Sequence, residues 1–174
     1  MSQPIRRRHL LGASAAVLSV AFLPGCSSLP VIPKRPAPDT RAGLGWIAHQ
    51  NGRYRLTLPR VEMGQNIATA LQQIACEELG IAPQDLALRL HDTGAIERVR
   101  ATVGSESVAD FALPLARACA TLREALAAGQ RQGELSPVEH PPQSLRTFAQ
   151  QARWIGQSPT LAQGLELVTG RPLF

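Results

Sequence analysis

Two short stretches decide the reading of this chain: Glu62-Met63-Gly64-Gln65-Asn66 and Thr102-Val103-Gly104-Ser105-Glu106-Ser107, about 35 residues apart. Each closes a strand-like or loop segment and opens a helical pattern with small or amide side chains. The first N–H groups of a helix have no partner inside it and point outward, so such a mouth suits an anion. Two mouths in one small domain lead to the expectation of one ligand held between them. Taken as local chemistry alone, capping and turn preferences account equally for Gly64, Asn66, Gly104, Ser105 and Ser107.

Outward from these stretches the pattern is α+β. Trp46–His49 and Tyr54–Leu58 flank Asn51-Gly52, a strong signal for a two-residue hairpin. Tyr54, Leu56 and Leu58 alternate with Arg55 and Thr57, which gives one buried strand face. Ile67, Ala70, Leu71, Ile74, Ala75 and Leu79 form a helical stripe, with Asn66 as N-cap and Gly80 as terminator. Leu86, Leu88 and Leu90 alternate as a third strand, and Asp92–Arg100 reads as a loop. A second stripe runs through Val108, Phe111, Ala112, Leu115, Cys119, Leu122 and Leu126. Ser107 and Asp110 are spaced as a capping box, and Pro114 is expected to kink this helix or delay its start. Residues 129–143 read as loop, 144–156 as a short helix through Leu145, Phe148, Ala149, Ala152 and Ile155, and 157–174 as irregular. The order hairpin, helix, strand, helix is an α+β layer of about 115–130 residues with one modest core.

The N-terminal part reads as targeting sequence. Arg6-Arg7-Arg8 precedes an apolar run from Leu10 to Leu23, as in an export signal over residues 1–25. The arginines before His9-Leu10-Leu11-Gly12 resemble a twin-arginine signal, with general export as the alternative. Gly25-Cys26-Ser27 resembles a lipoprotein cleavage site, so Cys26 is the expected acylated residue, and the expected location is periplasmic and membrane-anchored. Residues 26–42, with Pro30, Pro33, Pro36 and Pro38, read as an extended tether. Residues 43–130 are the expected folded domain, and 131–174 a loop, a short helix and the start of a further region.

Removing residues 1–25 takes three of the 18 Lys and Arg and none of the 13 acids, so the net charge falls from +5 to +2. Neither that charge nor a single tyrosine supports nucleic-acid binding. Cys76 and Cys119 lie in the helical stripes as small buried hydrophobes, with a disulfide left open. His49, His91 and His140 lack metal-ligand spacing, and no cysteine spacing could hold an iron–sulfur cluster. Glu62, Glu77 and Glu78 read as solvated carboxylates rather than as acids or bases.

Four features in order resemble the molybdenum-binding subunit of the xanthine dehydrogenase and aldehyde oxidase family, in the isoquinoline 1-oxidoreductase beta-subunit branch. They are Gly45-Trp46-Ile47, Glu62 to Gln65, Glu77-Glu78-Leu79, and Gly104-Ser105-x-Ser107, with the Ala118-Cys119 pair in the helix that follows. The tail Val168-Thr169-Gly170-Arg171 resembles the opening of that family's hammerhead domain.

The resemblance implies a molybdopterin cofactor, plain or as the cytosine dinucleotide, whose dithiolene holds the metal without protein ligands. It implies that Gln65 sits near an oxo ligand of molybdenum and that Met63 and Gly64 lie at the pterin. It further implies that Gly104, Ser105 and Ser107 contact the pterin or its phosphate. The implied reaction is oxidation of an aldehyde or an N-heterocycle. The family's catalytic glutamate lies in a Gly-rich motif absent from residues 1–174, so the implied partners are a larger molybdenum subunit and an iron–sulfur subunit. Asn66 stands where the family has a second glycine. The other reading is a non-catalytic, membrane-anchored lipoprotein that serves as an accessory or assembly module.

Overall fold

The computed structural model describes residues 46–90, 99, 101–133 and 135–171. All of them lie in the second of two compact units, Ala37–Phe174. The export signal, the tether, Cys26 and most of the 92–100 loop fall outside the described residues.

The fold is the expected α+β layer. Strands β1 (Ile47–Gln50) and β2 (Arg53–Thr57) pair antiparallel, with Gln50 opposite Arg53. The two residues between them, Asn51 and Gly52, both have positive φ, 52° and 76°. A tight turn that matches strand twist needs that conformation at both positions, and Asn and Gly reach it at least cost. Helix α1 (Ile67–Leu79) then carries the chain to β3 (Leu86–Arg89), which lies parallel to β2 on its other side. A parallel return of this kind requires a crossover, and α1 provides it.

Helix α2 (Ser107–Ala127) packs against α1 and β1, while α1 packs against β3. Leu56 and Leu58 from the sheet, Leu71, Ile74 and Ala75 from α1, and Phe111, Leu115 and Cys119 from α2 form the core. The helix starts at Ser107 and runs through Pro114 without interruption. Proline inside a helix costs about 3 kcal/mol or more. Burial of Phe111 and Leu115 on either side of it opposes that cost.

Helix α1 is buried on more than its predicted stripe: Thr69, Cys76, Glu77 and Glu78 are also shielded from solvent. The chain after α2 supplies the cover. Expected as a helix, residues 144–156 instead form two short 3-10 turns, Pro142–Ser144 and Arg146–Phe148, followed by irregular chain. The reason lies in its N–H groups. Thr147 donates to Glu78 Oε1 at 2.7 Å, and Arg153 and Trp154 donate to the Glu77 carboxylate at 3.1 and 2.6 Å. Backbone N–H groups spent on glutamates are not available for helical bonds. Glu77 and Glu78 are therefore buried anchors, not the solvated carboxylates that their helical setting implied. The Gly80 terminator is as expected, in the left-handed region with its N–H on the Cys76 carbonyl. A Cβ there would also lie 2.7 Å from Arg146 Nη1. A last short helix, α3 (Gly164–Thr169), occupies a stretch expected to be irregular.

Cys76 and Cys119 are both buried free thiols. Burial, then the carboxylates of Asp85 and Glu77, pushes the Cys76 thiol up from 9.0 to about 12. Burial, then Glu78 and the neighbouring Cys76, pushes Cys119 in the same direction against the opposing charge of Arg123. The folded state keeps protons that the unfolded chain releases above pH 9. This contribution to stability is therefore complete below pH 9 and declines as pH rises toward 12. The unfolding free energy from denaturant titrations should fall over that window by about 1.4 kcal/mol per pH unit for each thiol. In a Cys26→Ser variant, a thiol reagent at pH 8 should react only after unfolding.

Candidate functional site

The two sequence motifs meet in the fold. Arg60 leaves the end of the β2 segment with its side chain fully buried. One terminal nitrogen, Nη1, donates to the carbonyl of Ala101. The other, Nη2, pairs with Asp110 Oδ2 at 3.0 Å. The guanidinium carbon lies 4.4 Å from the centre of the Phe111 ring, which in turn packs on Trp46 with ring centres 4.9 Å apart. The next residue, Val61, donates its N–H to Thr102 Oγ1 at 3.2 Å. The loop 61–66 is thus tied at its base to the loop 101–107.

Within the first loop the expected anion mouth is already filled. The Glu62 carboxylate accepts from the N–H groups of Gly64 (2.9 Å), Asn66 (3.0 Å) and Ala68 (3.0 Å). An acid at a helix N-terminus is favoured by the helix dipole and by these orphan donors. A phosphate brought to this end of α1 would meet a carboxylate, so the first mouth does not fit an anion. Asn66 stands at the N-cap position but makes no side-chain cap; Glu62 caps in its place. Asn66 takes φ 60°, the left-handed conformation that a glycine would adopt freely and that asparagine tolerates.

Gln65 closes the same loop. Its Oε1 accepts from Met63 N–H at 2.5 Å, and its Nε2 donates to the Val61 carbonyl at 2.7 Å. One amide hydrogen and one acceptor site remain for an outside group. Met63 projects from the loop with 67% of its surface exposed.

The second loop carries consecutive left-handed residues, Gly104 at φ 72° and Ser105 at φ 54°. Both are exposed, and Ser107 is the first helical residue of α2 rather than its cap. The expected Ser107–Asp110 capping box does not form, because Glu106 holds the N-cap position and Asp110 is paired with Arg60. Exposed Val61, Met63, Val103 and Val108 give the two loops an apolar surface.

Set against a molybdopterin, these features fit unequally. Met63 and the neighbouring valines offer an apolar, polarisable surface suited to a flat ring. Gln65 offers one remaining donor and one acceptor. The Gly104–Ser107 loop offers open backbone and two hydroxyls. Among the described residues no group of three or more His, Cys, Asp and Glu side chains gathers as a metal site, and no helix is long and apolar enough to cross a membrane. A groove of about 350 Å3 between β1 and the C-terminal half of α2 is lined by residues such as Ile47, His49, Leu122 and Arg131, and includes none of the site residues.

Arg60 is the residue that the sequence reading missed. The only local signal was a cation lodged between the apolar Leu58 and Val61, and its partners lie 41 and 50 residues away.

No curated protein and no solved structure matches the chain. The molybdopterin cofactor-binding domain family matches it over residues 20–164, which include both loops, the sheet and both long helices. This chain belongs to the molybdopterin cofactor-binding domain family.

Proposed function

We propose that this chain is the cofactor-cradling part of a molybdenum hydroxylase that oxidises an aldehyde or an N-heterocycle. In this reading the Met63–Gln65 loop lies against the pterin, and the Gly104–Ser107 loop receives the pterin edge or its phosphate. Gln65 uses its remaining amide hydrogen to orient the group bound at the metal. When bound, the molybdenum centre supplies the redox chemistry. A larger chain brings the catalytic glutamate, and electrons leave through an iron–sulfur subunit. The cytosine dinucleotide form of the cofactor belongs to the same reading. The observation that carries it is the joining of the two motif loops through Arg60 and Thr102 in a chain of this family.

The test is co-purification with the chain encoded beside it, followed by elemental analysis for molybdenum and fluorescence of the oxidised pterin. Stoichiometric cofactor is expected. Cofactor-free complex would end the proposal. Gln65→Ala should lower turnover of the assembled complex by about 10- to 100-fold, in the range set by misplacement of a reacting group. Its melting temperature should stay within a few degrees of the parent, because Gln65 is exposed. Unchanged turnover would remove Gln65 from the site.

We further propose a periplasmic location with an acyl anchor on Cys26. A Cys26→Ala variant should move from the membrane fraction to the soluble fraction, as read by fractionation and blotting. Membrane retention of that variant would argue against the anchor.

A further inference from the structure

We propose that Arg60 is the positioning residue of the cradle, setting the separation and orientation of the Met63–Gln65 loop relative to the Gly104–Ser107 loop. That these loops receive molybdopterin rests on the reading above. That Arg60 holds them does not.

The argument starts from cost. Burying an ion pair is expensive, and well-packed apolar side chains often serve stability as well or better. The Arg60–Asp110 pair sits at the end of the core with side-chain exposures of 0% and 16%. What a guanidinium adds over an apolar residue is direction: its fork makes several bonds at fixed angles. Here the fork reaches the Ala101 carbonyl at the entrance to the second loop and Asp110 in the first turn of α2. It thus brackets the Gly104–Ser107 loop from both sides. Arg60 itself is the residue immediately before the first loop. Stacking on Phe111, which packs against Trp46, fixes the plane of the fork. The Val61–Thr102 bond adds a further tie one residue on.

A second buried network provides the contrast. Glu78, fully buried, holds Arg123 at 3.0 Å and Thr147 N–H at 2.7 Å. It secures the chain after α2 and touches neither motif loop. Loss of Glu78 and loss of Arg60 both weaken the fold, but only the second should loosen the cradle.

The experiment uses the full chain in its assembled complex and compares Arg60→Lys with Glu78→Gln. Amide hydrogen exchange is read over residues 61–66 and 102–107, and pterin content is measured per folded chain. Arg60→Lys keeps the charge but cannot span both partners. It should speed exchange in both loops by about tenfold or more and reduce pterin content severalfold. Glu78→Gln should speed exchange around residues 145–155 and leave pterin content unchanged. Parental exchange in both loops of Arg60→Lys would overturn the proposal, as would equal pterin loss in the two variants. If Arg60→Lys does not fold, Asp110→Asn, which removes the charged partner of the Arg60 fork in the first turn of α2, should speed exchange over residues 102–107; parental rates there would also overturn it. A parental complex without pterin would refute the cofactor reading, while the exchange data would still decide the role of Arg60.

Discussion

Replacing Glu78 with alanine should cost the domain about 3–5 kcal/mol, the range for removing one partner of a buried ion pair. The carboxylate is fully buried and takes Thr147 N–H at 2.7 Å and Arg123 Nη1 at 3.0 Å. Arg123 Nη1 also donates to the Glu78 main-chain carbonyl at 2.7 Å, and Arg146 Nη1 approaches that carbonyl at 3.4 Å. Without the side chain, the Thr147 N–H is left against the core with no acceptor, and Arg123 loses its buried carboxylate and keeps the Glu78 main-chain carbonyl and the exposed Glu124. The loss is a large share of the roughly 5–15 kcal/mol that holds a typical domain together. The melting temperature should fall by about 10–20 °C. Urea unfolding followed by circular dichroism measures it. A loss below about 1 kcal/mol would mean that water reaches and satisfies these groups.

Phe111→Ala should cost about 3–5 kcal/mol, through lost burial and the cavity left behind. The ring is 3% exposed, meets Trp46 at 4.9 Å between ring centres and lies beneath the Arg60 guanidinium. Its removal therefore opens the core at the point where both motif loops are held. Two readouts should move together: the denaturation midpoint, and amide exchange over residues 61–66 and 101–107. Phe111→Leu fills most of the space without the ring face, so it should recover part of the stability and less of the loop protection. Full recovery of both by leucine would reduce the ring to a space-filler.

Much of the scaffold was legible because the signals are local. The Asn51-Gly52 turn depends on two residues that adopt positive φ, and such a preference is written in the residues themselves. The stripe from Ile67 to Leu79 and its end at Gly80 follow from helical period and from glycine's freedom in the left-handed region. The stretch 144–156 has the same apolar period, yet it is not a helix. Its N–H groups find a stronger use on Glu77 and Glu78, which nothing near it in sequence reveals. Likewise the motif at Glu62–Asn66 read as an open helix mouth with an asparagine cap. In space Glu62 folds over that mouth, and the asparagine contributes only its backbone conformation.

By itself the sequence determined the layer order, the hairpin and both long helices, and it singled out the two motif stretches, since these rest on turn chemistry, period and residue order. Only the tertiary structure decided what those stretches become. It filled the first mouth with a carboxylate, left the second loop open, and joined the two through an arginine whose partners lie 41 and 50 residues away. A buried charge must find its partners in space. The chain between them leaves no periodic trace of the pairing.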